Sequence, residues 1–73
     1  MDIYVTGSGH LVIEGRSFGP DMDTEPVCRQ LFRAFPKEQR PEVWRAYGAY
    51  RRGYYDPDRH AMVSRTGYVV PVR

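Results

Sequence analysis

With 73 residues, one cysteine (Cys28) and two histidines (His10 and His60), the chain can hold neither an internal disulfide nor a Cys/His zinc site. A domain of this length buries only about 60% of the surface its unfolded chain exposes, so its stability must come from packing or from a partner, and a homodimer or a stable hetero-complex is expected. A net charge of +2 excludes an acidic mimic of DNA, no apolar run reaches the roughly 20 residues of a membrane span, and the start MDIYVTGSGH is no secretory signal; a single cytoplasmic domain over 1–73 is the expectation.

Residues 3–6 alternate and are β-rich, Gly7-Ser8-Gly9 supplies a turn, and residues 10–14 alternate again. This predicts a hairpin with a three-residue glycine loop, Ile3 and Val5 sharing one face and Leu11 and Ile13 another. Residues 15–20 (GRSFGP) carry two glycines and a proline and read as loop.

A first helix is expected after Asp23 or Thr24. Acidic side chains sit at its positive end, and Pro26 is tolerated in its first turn. Val27, Cys28, Leu31, Phe32 and Phe35 follow at helical spacing until Pro36. A second helix begins at Pro41, runs to about Arg52 and stops at Gly53. Val43, Tyr47, Tyr50 and Tyr54 form one stripe of it and are expected against the sheet or the first helix. Trp44, Arg51 and Tyr55 form a second stripe at the border of core and solvent. Residues 54–59 (YYDPDR) read as a turn, and 61–65 and 68–72 as strands, with Pro71 placing the last at an edge. The fold class predicted is α+β, in the order β-β-α-α-β-(β): one small antiparallel sheet of three to four strands with two helices packed on one face.

Catalytic and metal chemistry finds little support. Gly7-Ser8-Gly9 lacks a third glycine and precedes a strand, so no helix N-terminus offers converging amides to a phosphate. Asp21, Asp23 and Glu25 alternate as in a calcium loop, but Pro26 stands where its glycine belongs and no closing glutamate follows. Asp56, Asp58 and His60 could meet a divalent ion, although a turn fixed by Pro57 explains them as well. Ser8, Ser17, Ser64 and Cys28 have no base and orienting group supplied by a local motif. No enzyme activity, cofactor or metal is expected.

The densest feature is EVWRAYGAYRRGYY, residues 42–55, which sets Trp44, Tyr47, Tyr50, Tyr54 and Tyr55 among Arg45, Arg51 and Arg52. Ten of the eleven basic residues are arginine, Lys37 being the exception. A GC-rich coding sequence would account for that bias; so would a preference for carboxylate, phosphate and aromatic partners. Arg29, Arg33 and Lys37 form a second basic row at four-residue spacing. Tyr47, Tyr50 and Tyr54 are expected to serve mainly as core. Trp44, Arg45, Arg51, Arg52, Tyr55, Arg29, Arg33 and Lys37 are the candidate partner-binding residues.

These features predict a small non-enzymatic protein that engages a protein or nucleoprotein complex and modulates it by occlusion, with an exposed strand edge as a further contact. Phage and mobile-element inhibitors, anti-CRISPR proteins among them, are the class of short, motif-free chains with this role. The alternative is a nucleic-acid-binding module, its arginines on phosphates and Trp44 or Tyr55 stacked on bases. The nine acidic residues weigh against that alternative.

Overall fold

The computed structural model describes residues 1–19, 29 and 33–73. Strands β1 (Ile3–Val5), β2 (Leu11–Ile13) and β3 (Arg16–Phe18) form one antiparallel meander. Helix α1 (Arg40–Arg52) follows. Strands β4 (Tyr54–Asp56), β5 (Ala61–Val63) and β6 (Val69–Pro71) form a second meander.

This corrects the expected single sheet with two helices on one face. There are two three-stranded sheets, and α1 is the one helix that lies wholly within the described residues. The expected first helix falls mostly outside the described residues, although Arg29 and Arg33 are themselves helical. Two stretches read as loop or turn are strands. At GRSF, Glu14 (φ 51°) and Gly15 (φ 78°) both take the left-handed conformation. That makes a two-residue turn matching strand twist, so the glycine reverses the chain and pairs Arg16 with Ile13. At YYD, the helix ends at Arg52, two residues before Tyr54, and the tyrosines pair with Val63 and Met62.

The β1–β2 and β5–β6 connections repeat one design. Thr6 N–H donates to His10 O and Gly9 N–H to Thr6 O; Ser64 N–H donates to Tyr68 O and Gly67 N–H to Ser64 O. In each turn the first hydroxyl accepts from the backbone N–H four residues on, at 3.0 Å from His10 and 2.9 Å from Tyr68. In each it also contacts a second hydroxyl at 2.9 Å, Ser8 or Thr66. Thr-x-Ser-Gly and Ser-x-Thr-Gly thus encode the same rigid tip, with Gly9 and Gly67 in the positive-φ position.

β6 is outermost in its sheet, where a proline without an N–H is tolerated. Beyond it the chain crosses to β1. Val72 bridges Val5 in parallel, Arg73 N–H donates to Val5 O (2.7 Å), and Gly7 N–H donates to Arg73 O (3.0 Å). The two meanders are therefore joined at β1.

α1 lies over β6, β5 and β2. Its buried stripe is narrow: Val43, Ala46 and Ala49, two of them small enough for close approach to the strands. Ile3, Val5, Leu11, Ile13, Phe18, Phe35 and Val70 complete that core. Tyr47 and Tyr50 pack against it half-buried, and Tyr50 donates its hydroxyl to Gly9 O, tying the helix to the first hairpin. Each fully buried aliphatic side chain is worth about 1.5–3 kcal/mol of transfer free energy.

Candidate anion-binding face around Trp44

Helix α1 spends its narrow inner stripe on the core, which leaves its other faces to solvent. Pro41 in the first turn and Glu42 near the positive end start the helix; Arg51 and Arg52 complement its negative end. Gly53 terminates it in extended conformation. A Cβ there would run into the carbonyl oxygens of Val63 and Ala49. Glycine lets the chain leave α1 and enter β4 with no gap.

Trp44 is 47% exposed on this outer surface, set edge-on to Tyr47 with ring centroids 6.2 Å apart. It borders three adjoining depressions. One, of about 250 Å³, is lined by Arg29, Arg33, Arg40 and Trp44. A second, of about 320 Å³, runs along Trp44, Arg45, Gly48 and Arg52 to Arg65 in the β5–β6 turn. A third, of about 180 Å³, lies among Trp44, Tyr47, Gly48, Arg51 and Arg52. Among the described residues, no acidic side chain lines any of them.

Glu42 accepts from the Tyr68 hydroxyl at 3.3 Å. Burial, and then the Glu42 carboxylate, raise the Tyr68 pKa above its ordinary value, while Arg45 pulls it down. Arg40 donates through Nε to Phe35 O at 3.3 Å, which fixes its stem beside Trp44. The doubly hydrogen-bonded Ser64–Tyr68 turn holds Arg65 on a rigid tip.

Gly48 stands out within this face. A glycine inside a helix costs about 1 kcal/mol relative to alanine. Packing among the described residues does not require it, because a Cβ at Gly48 would meet none of their atoms within 4 Å. It lies four residues after Trp44 and four before Arg52, so its missing side chain leaves a shallow floor between indole and guanidinium.

The structure thus brings together Trp44, Arg29, Arg33, Arg45, Arg51 and Arg52. It does not bring Lys37 or Tyr55 to that face. Lys37 is exposed in the turn before α1. Tyr55 belongs to β4, where its hydroxyl meets His60 Nδ1 at 2.7 Å. Asp56 accepts from Asp58 N–H (3.0 Å) and pairs with Arg59 (3.6 Å), so the Asp-x-Asp-x-His run is occupied in its own turn. Among the described residues no three His, Cys, Asp or Glu side chains converge as metal ligands. Nor is any helix among them long and apolar enough to cross a membrane.

Sequence reasoning missed Arg40, Gly48 and Arg65. Arg40, Trp44, Gly48 and Arg52 recur every four residues, a signal present in the sequence. Arg65 carries no such signal, since only the fold sets the β5–β6 turn beside α1.

Compared with known proteins, the chain matches no family model, no curated protein and no solved structure.

Proposed function

We propose that the protein is a non-enzymatic binding module that covers an anionic surface of a protein or nucleoprotein complex with the Trp44-centred face of α1, acting by occlusion. The observation that carries this reading is the convergence of arginines from three stretches of chain on one exposed indole, with no acid among the described residues that line it. Tryptophan supplies much contact area with few flexible bonds, and the planar guanidinium forks of arginine suit carboxylates and phosphates. The three depressions are at or below the small end of ligand pockets, which favours a surface contact over an enclosed substrate.

Heparin, a polyanion without bases, tests the reading. Arg45→Glu/Arg52→Glu should weaken heparin binding at low salt at least about tenfold, and Arg59→Glu, outside the three depressions, should leave it nearly unchanged. Equal loss in both variants, or none in either, would remove this face from the account.

A further inference from the structure

The Trp44 face has a floor as well as a charge. Gly48 weakens the helix without a packing reason among the described residues, and it opens a slot beside an exposed indole. The slot is flanked by Arg29, Arg33 and Arg40 at one side and by Arg45, Arg52 and Arg65 at the other. A flat apolar ring with cations on both sides fits a polymer that alternates flat rings with negative charges. An acidic protein surface offers carboxylates but no regular alternation of ring and charge. Duplex nucleic acid offers phosphates, but its bases are stacked on one another and closed to an indole on a helix.

We propose that this face binds single-stranded nucleic acid, with one base stacked on Trp44 over Gly48 and the phosphates before and after it held by the flanking arginines. Stacking on an aromatic ring tolerates any base, so the contact is sequence-independent. The inference rests on the anion-binding reading above and specifies its partner.

Trp44 is the single tryptophan, so its emission reports on the slot directly. Titration at about 50 mM salt would use an oligothymidylate, an oligouridylate, an abasic oligonucleotide of equal charge, a blunt duplex, poly-glutamate and heparin. Either single strand should quench Trp44 and bind about tenfold or more tighter than the abasic strand. The logarithm of affinity should fall with the logarithm of salt by about 0.7 per phosphate neutralised.

Gly48→Leu fills open space and replaces a poor helix former, so it should raise the melting temperature. It should also cut oligothymidylate affinity about tenfold and leave heparin affinity within about twofold. Abasic or duplex binding equal to the single strand, or poly-glutamate binding tighter than it, overturns this inference and leaves the anion-binding reading standing. A Gly48→Leu protein that is more stable and binds the strand unchanged overturns it too. Failure to bind heparin as well would overturn both.

Discussion

Trp44 and Tyr55 are equally exposed, each at 47%, and stand only eleven residues apart in one aromatic run, yet they belong to different surfaces. Trp44 sits on a helix among arginines that three stretches of chain deliver. Tyr55 sits on a sheet-edge strand and is occupied by His60, next to an Asp56–Arg59 ion pair that closes its own turn. Exposure of an aromatic ring therefore does not mark a binding surface by itself. What distinguishes Trp44 is the company the fold brings to it.

Gly53 is the boundary between these two regions, and breaking it should have the largest effect. Gly53→Ala places a Cβ against the carbonyls of Val63 and Ala49, backbone atoms that cannot swing aside. A loss of roughly 3 kcal/mol in urea unfolding is expected, at the upper end for an overpacked site. Next comes the contrast in binding. Trp44→Ala should lower heparin or oligonucleotide affinity about tenfold, read by fluorescence anisotropy of a labelled ligand, while Tyr55→Ala changes it less than twofold. Neither ring is buried, so each variant should keep its stability within about 1 kcal/mol.

Smaller effects sharpen the picture at the helix. Removing the Tyr50 hydroxyl in Tyr50→Phe deletes the bond to Gly9 O and should cost about 1 kcal/mol, with the Trp44 face intact. The raised pKa of Tyr68 gives the smallest effect. A group whose folded pKa lies above its unfolded value contributes stability that is fully present below the unfolded value, near pH 10 for tyrosine. That contribution is lost as pH rises through the folded value. Stability should fall more steeply above about pH 10 in the wild type than in Tyr68→Phe.

Much of the local structure was legible in the sequence. The Gly7–Gly9 hairpin, the helix start at Pro41 and its stop at Gly53 follow from turn and cap chemistry that acts within a few residues. The architecture was not. Glycines at 15 and 19 look like breakers, but Gly15 is half of a reversing turn, and the strand between them has only three residues. Tyr54 continues the helical spacing of Val43, Tyr47 and Tyr50, and Tyr55 that of Trp44 and Arg51, which hid the change to period two. The proposed binding face was partly visible because Trp44, Arg45, Arg51 and Arg52 are neighbours in sequence. Arg65 joins them only through the pairing of β5 with β4 and β6 beneath the helix, a non-local event that no short pattern encodes.

The central claim is that the Trp44 face, not the Tyr55 face, meets the partner. Backbone and indole chemical-shift mapping by NMR during titration with oligothymidylate or heparin tests it most directly. The account predicts the largest shifts at the Trp44 indole N–H, Gly48, Arg52 and the Ser64–Thr66 turn, with Tyr54 to His60 unmoved. Shifts centred on Tyr54 to His60, or spread evenly over the surface, would contradict it.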